Sequence, residues 1–220
     1  MKKVILSVLF AILATTGHAA TFSATGASAS SEFSSQYVAE NTIDGSGLSA
    51  PGDPGASHAD YAVNNHWTTA RNTVAEDASI EWSFAGPSDL GGIYIWNHRS
   101  NVISSNDGYE PVLFDLTLLN GTTVIESFDD VALSPDTDKA QAFTFDAVVS
   151  NVTSVLFEVE AVQSSNNYTG LAEVLFDDAL IAGATLLSNA PSPTPVPLPA
   201  GGLLLLSGVA GIAAMRRKRR

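Results

Sequence analysis

Ser79-Ile80-Glu81-Trp82-Ser83-Phe84, followed closely by Gly91-Gly92-Ile93-Tyr94-Ile95-Trp96, is the stretch whose reading decides the fold. In its first half Ile80, Trp82 and Phe84 alternate with Ser79, Glu81 and Ser83. A period of two puts the apolar side chains on one face of a strand and the polar ones on the other, whereas a helix would repeat them every three or four residues. Gly86-Pro87-Ser88-Asp89 between the two runs reads as a turn. Working outward, residues 112–119 and 122–128 form two more runs joined at Asn120-Gly121, a pair that marks a hairpin. Further short strands are predicted at 141–145, 153–160 and 171–176, and no amphipathic helix of three turns is visible. Short strands joined by loops of uneven length predict an all-β, antiparallel β-sandwich.

Residues 41–72 break this pattern. They are rich in Gly, Ser, Pro, Asp, Asn and His and predict a long surface loop, a place where binding residues concentrate. Trp82 and Trp96 sit within strands and Trp67 at a loop edge, and all three are assigned to the core rather than to sugar stacking.

The two ends carry addresses. Lys2 and Lys3, an apolar run over 4–13 and Gly17-His18-Ala19 give residues 1–19 the three parts of a secretory signal, in preference to a buried N-terminal helix. At the other end, residues 183–197 read as a linker whose later part (PSPTPVP) is stiff and extended. Residues 198–220 follow, with about 18 mostly apolar positions and then Arg216, Arg217, Lys218, Arg219 and Arg220. Val196, Pro197, Leu198, Pro199 and Ala200, then two glycines, an apolar helix and the basic cluster, resemble the VPLPA variant of the PEP-CTERM sorting signal of Gram-negative bacteria. That resemblance implies an inner-membrane anchor, recognition by an exosortase-type processing enzyme, and delivery to the cell surface or extracellular matrix. A plain membrane anchor is the alternative.

Seven of the ten basic residues lie in these ends, which leaves Arg71, Arg99 and Lys139 against 23 acids, a net charge near −20 for the remainder. A domain so acidic has no basic face for phosphates, so nucleic acid is excluded as a partner. With no cysteine, disulfides, thiolate metal sites and a cysteine nucleophile are excluded as well.

Within residues 20–182 several spaced pieces belong to one pattern: Ala39-Glu40-Asn41-Thr42-Ile43-Asp44-Gly45, His66-Trp67-Thr68-Thr69, Ile80-Glu81-Trp82-Ser83-Phe84, Ile93-Tyr94-Ile95-Trp96-Asn97 and Leu171-Ala172-Glu173-Val174-Leu175-Phe176. Together they resemble the discoidin, or coagulation-factor type C, domain family, which includes many bacterial carbohydrate-binding modules. The resemblance implies a galactose-binding-like jelly roll, glycan binding through loops at one end, and a structural calcium ion. It assigns calcium ligation to the carboxylates of Asp44 and Glu173, with Thr68 and Thr69 as the available hydroxyls. The alternative is that Asp44 caps a turn and Glu173 is solvated.

For a ligand, Asn97, His98, Arg99 and Asn101 offer amides, an imidazole and a planar guanidinium that can pair with vicinal hydroxyls, with His66 and Tyr109 at the border of the same loop end. Unlike fucose-binding relatives, the chain has no second arginine beyond Arg99. No Ser-centred elbow, metal-spaced His pair or phosphate loop is present, so the expectation is a non-catalytic domain that binds carbohydrate or exopolysaccharide. The alternative is a structural matrix or biofilm protein without a specific glycan.

Overall fold

The computed structural model describes residues 20–99, 108–135, 137–164 and 167–188. The predicted leader, Asn101, the Val196 to Ala200 box and the apolar tail lie outside the described residues. Among those described, no helix is long and apolar enough to cross a membrane.

Nine strands follow in chain order: β1 (Thr21–Phe22), β2 (Gly26–Ala29), β3 (Trp67–Thr68), β4 (Ser79–Asn97), β5 (Pro111–Asn120), β6 (Thr123–Ala132), β7 (Gln141–Val162), β8 (Gly170–Asp177) and β9 (Thr185–Leu187). Two single 3-10 turns, Ala39–Thr42 and Ala75–Asp77, are the helical content.

The alternation at the start of β4 plays out as expected. Ile80 and Trp82 are fully buried and Glu81 points to solvent. Two predicted boundaries are corrected. The turn at Gly86-Pro87-Ser88-Asp89 is a bulged bend inside one 19-residue strand, with register shifts against β7 between Ser83 and Gly92. Likewise the runs at 141–145 and 153–160 are the two ends of β7. Bulges let one strand bend without ending, so each of these long strands serves both layers of the fold.

The first half of β4 pairs with β2 and the end of β7, which continues to β5 and β6. Its second half pairs with β8 and the start of β7, with β1 and β3 beyond on β8 and β9 on β7. These two layers face one another, and their rings meet across the gap. Trp82 lies 5.9 Å from Phe176, Phe114 5.7 Å from Phe143, and Phe128 stacks on Phe145 at 5.1 Å. The fold is thus an all-β sandwich, antiparallel except for β9, which runs parallel to β7. Because β9 pairs with Phe143, Thr144 and Phe145, the sheet continues past the predicted domain end at residue 182, into the segment read as linker.

The hairpin at Asn120 is tighter by one residue than expected. Asn120 pairs with Thr123, and Gly121 takes φ +59°, the left-handed conformation that the first position of a type II′ turn requires.

Every residue of β8 is buried. Its inner face joins the main core, and its outer face packs with Trp96 under the long loop, where Leu48, Ala56, Ala172 and Leu175 form a second apolar cluster. The Trp96 indole N–H donates to the Ala56 carbonyl at 3.1 Å, which ties the loop down. Residues 41–72 therefore cover one sheet face rather than stand free of it.

Candidate functional site

β4 leaves the sheet at Asn97, and the next two residues enter a cluster of rings. The Asn97 side chain is 1% exposed, donates to the carbonyls of Pro111 (2.8 Å) and Ser134 (3.1 Å), and accepts the His98 N–H (2.8 Å). All of its reach is used inside the protein, so it fastens the strand end where the sequence suggested a ligand contact.

His98 is also buried, with its ring 5.0 Å from His66, 4.9 Å from Tyr61 and 5.5 Å from Tyr109. His66 pairs through Nδ1 with Asn65 Oδ1 at 2.8 Å and accepts the Arg99 N–H on Nε2 at 3.3 Å, a pattern that suits the neutral ring protonated on Nδ1. Full burial, then the neighbouring His98 and His58, hold its pKa well below the usual imidazole value. His58 completes a row of three imidazoles, 4.8 Å from His66. Burial lowers its pKa too, outweighing the opposite pull of the Ala59 and Ser46 carbonyls.

Arg99 braces the loop against this cluster. Its Nε lies 2.9 Å from Asp60 Oδ1, its Nη1 donates to the His58 carbonyl at 3.0 Å, and its own carbonyl accepts the Tyr61 N–H at 2.8 Å. The guanidinium is about one-third exposed and already engaged on one side.

Beside this cluster opens a pocket of about 250 Å³ lined by Phe33, Tyr37, Tyr61, Thr68, Tyr109 and Tyr168. The sandwich positions each wall through its backbone. The Phe33 N–H donates to the Thr68 carbonyl (2.8 Å) and the Thr68 N–H to the Tyr37 carbonyl (3.3 Å), so β3 holds two rings. The N–H of Gly170, first residue of β8, donates to the Tyr109 carbonyl at 3.1 Å, and Tyr168 lies just before that strand. A side chain at 170 would crowd this arrangement, since an added Cβ would lie 2.7 Å from His98 Nδ1. The Thr68 hydroxyl donates to the Tyr61 hydroxyl at 3.4 Å. Burial raises the pKa of Tyr61 far above its usual value and that of Tyr109 more modestly, so both phenols stay protonated.

Of the residues expected to meet a ligand, the structure gathers His66, His98, Arg99 and Tyr109 at one end of the sandwich. Only Tyr109 among them lines the pocket. Phe33, Tyr37, Tyr61 and Tyr168 were not anticipated. A signal existed: four of the chain's five tyrosines line this one pocket, and none of the four belongs to an alternating run.

The expected metal residues separate into two groups. Glu173, on β8, is 1% exposed and accepts the Gly45 N–H on Oε2 at 3.1 Å, which brings the Asp44 turn onto the closing strand. Burial first, and Asp44's charge second, push its carboxyl up to about 9. The Ser46 hydroxyl in the same turn is buried without a hydrogen-bond partner. Thr68 instead faces the pocket, and the Thr69 hydroxyl accepts the Thr169 N–H at 3.0 Å. No group of three or more His, Asp or Glu side chains among the described residues could hold a metal. A cation beside Asp44 and Glu173 would therefore complete its shell with hydroxyl, carbonyl and water oxygens, a set that calcium accepts.

No family model matches the sequence, and no curated protein matches it. Solved structures do. A pectin-binding carbohydrate-binding module is 14% identical, with 75% of this chain and 96% of that chain covered and a TM-score of 0.50. Chitosan-binding module 1 from a chitosanase/glucanase of Paenibacillus sp. IK-5, as a selenomethionine-labelled variant, is 12% identical, with 73% and 99% covered and a TM-score of 0.50. The F5/8 type C domain of a Bacteroides fragilis protein is 13% identical, with 75% and 99% covered and a TM-score of 0.49. At these identities the likeness speaks to the fold, which is the discoidin-like, galactose-binding-like sandwich.

Proposed function

We propose that this protein is a non-catalytic carbohydrate-binding domain that takes a sugar ring into the tyrosine-lined pocket at the end of β3, β4 and β8. The observation that carries the reading is the pocket itself. Its aromatic faces can stack on the C–H face of a pyranose, and its Tyr and Thr hydroxyls can meet the ring's edge. At about 250 Å³ it is smaller than the roughly 300–1,000 Å³ of sites for drug-sized molecules, so it suits one ring, with the rest of a polysaccharide running outside. The fold is shared with modules named for binding pectin and chitosan. Arg99, His66 and His98 act behind the wall, fixing Tyr61 and the strand exit.

Calcium is proposed as a structural ion held by Asp44 and Glu173, with the Ser46 hydroxyl as a further oxygen donor. It would neutralise two carboxylates that have no cationic partner and pin the long loop to β8. Residues 1–19 direct export, and the 198–220 tail anchors the precursor in the inner membrane. An exosortase-type enzyme then acts near Val196 to Ala200 and leaves the domain at the surface or in exopolysaccharide. The order of these segments supports that itinerary.

A glycan array probed with the wild type and with Tyr168→Ala tests the function. Binding to a restricted set of glycans, lost in the variant, supports it; an array silent across neutral, amino and acidic sugars favours a matrix role without a glycan ligand.

A further inference from the structure

The pocket rings form a closed circuit. Phe33 meets Tyr37 (5.8 Å), Tyr37 stacks on Tyr61 (5.1 Å), Tyr61 meets His98 (4.9 Å), His98 meets Tyr109 (5.5 Å), Tyr109 meets Tyr168 (5.1 Å), and Tyr168 returns to Phe33 (5.7 Å). We propose that this circuit is an aromatic cage for a protonated amine, and that the sugar bound here is an amino sugar with a free ammonium group. The proposal rests on the carbohydrate reading above and narrows it.

Three observations favour a cation over a neutral or acidic sugar. First, ring faces directed around one space sum their negative quadrupoles, and an ammonium within about 6 Å of several of them is attracted by each. Second, no carboxylate, amide or guanidinium lines the pocket, so the forked groups that would pair with the vicinal hydroxyls of a neutral hexose are missing from its wall. The nearby Arg99 is turned onto Asp60 and the His58 carbonyl, which leaves its charge compensated rather than facing an incoming cation.

Third, the surrounding field is negative. Residues 20–188 carry Arg71, Arg99 and Lys139 against all 23 acids of the chain, and Glu32, Asp60 and Glu110 adjoin the lining residues Phe33, Tyr61 and Tyr109 in the chain. Such a field draws an amine toward the pocket and repels a uronic acid. The imidazoles behind the wall do not oppose this near neutrality, because burial keeps His66 and His58 uncharged.

Titration calorimetry on the full chain, held in a detergent without a sugar headgroup, tests the cage with three β-1,4-linked tetramers that differ only at C2. These are chitotetraose (amine), cellotetraose (hydroxyl) and N-acetylchitotetraose (acetamide). The expected result at about pH 6 is a dissociation constant for chitotetraose on the order of tenfold lower than for either of the others. The advantage should shrink at about pH 9, where the sugar amine is neutral.

Phe33→Leu and Tyr168→Leu should abolish the preference while Tyr168→Phe keeps it, since the ring face rather than the hydroxyl makes the contact. Phe33 is 48% exposed, so its variant keeps the fold. Equal or tighter binding of cellotetraose overturns the amino-sugar assignment and leaves the carbohydrate reading standing. Choline bound as tightly as chitotetraose overturns it as well, by showing a cage for cations without need of a sugar. No binding by any of the three tetramers overturns it, and a silent glycan array in addition removes the reading beneath it.

Discussion

Tyr37 and Tyr61 stack with ring centroids 5.1 Å apart and planes 9° from parallel, although one precedes the long loop's first turn and the other lies deep within it. Their contact makes one wall of the pocket and joins the loop to β3. Removing Tyr61 takes away that stack and its contacts to His66 and His98 together, so Tyr61→Ala should destabilise the domain by about 3 kcal/mol. Phe33→Ala, at the exposed rim, should change stability by no more than about 0.5 kcal/mol yet weaken glycan binding severalfold. Thermal melts beside a binding titration separate the two effects; a Phe33 variant that melts early but binds normally would contradict the assignment.

Calcium should be coupled to a proton. A carboxyl raised from 4.5 to about 9 in the folded state is protonated at neutral pH without metal, and it must ionise to bind the ion. Calcium uptake by the wild type at about pH 7 should release protons, seen as a binding heat that varies with the ionisation enthalpy of the buffer. At a hundredfold excess over the dissociation constant, calcium should add about 2.7 kcal/mol, raising the melting temperature by roughly 5–10 °C. Glu173→Gln should lose both signals, and a wild-type melt indifferent to calcium and chelator eliminates the ion.

The same shift has a second consequence when metal is absent. Glu173's raised value contributes stability that is complete below about 4.5 and is lost as pH rises toward 9, because the folded state holds the proton more tightly. The metal-free wild type should therefore melt lower at pH 9 than at pH 7, and Glu173→Gln should flatten that slope. A slope unchanged in the variant would place its cause elsewhere.

His66 bends the curve the other way. Its folded-state pKa lies below the ordinary 6.5, so the unfolded chain takes the proton first, and its contribution is complete above 6.5 and lost as pH falls toward the folded value. The groups facing it are His58, His98 and Tyr61, with the Arg99 N–H on its Nε2, and none supplies an anion to welcome a charge. Melts between pH 7 and 5 should fall more steeply for the wild type than for His66→Gln. Parallel curves would contradict the buried neutral ring.

Asn97 gives a test of strand-end fastening. Asn97→Ala leaves two buried carbonyls and the His98 N–H short of partners and should cost about 2–3 kcal/mol. Were it a solvent-facing ligand contact, as its sequence neighbours suggested, the same change would lower affinity and leave the melt untouched.

The strands were legible because alternation is a local property: Ile80 and Trp82 lie inside for the reason their spacing states. The continuity of β4 across Gly86 was not, since whether a Gly-Pro pair turns back or bends depends on partners in β7, more than fifty residues away. Asp44 and Glu173 could be related only through the family resemblance, and the Gly45 hydrogen bond now joins them in space. Asn97 and Thr68 were legible as polar residues but not in their direction, which burial and the neighbouring backbone decide. The pocket was the least legible feature. Phe33, Tyr37, Tyr61, Tyr109 and Tyr168 sit in separate irregular segments, and only the closed sandwich brings their rings around one space.

The central claim is that this rim of tyrosines receives a glycan. Its most direct measurement is an NMR titration of the isotopically labelled protein with a glycan selected from the array. The account predicts saturable shifts concentrated on Phe33, Tyr37, Tyr61, Tyr109 and Tyr168, with the far hairpin at Gly121 unmoved. Shifts centred elsewhere on the sandwich, with the tyrosine signals still, would contradict it.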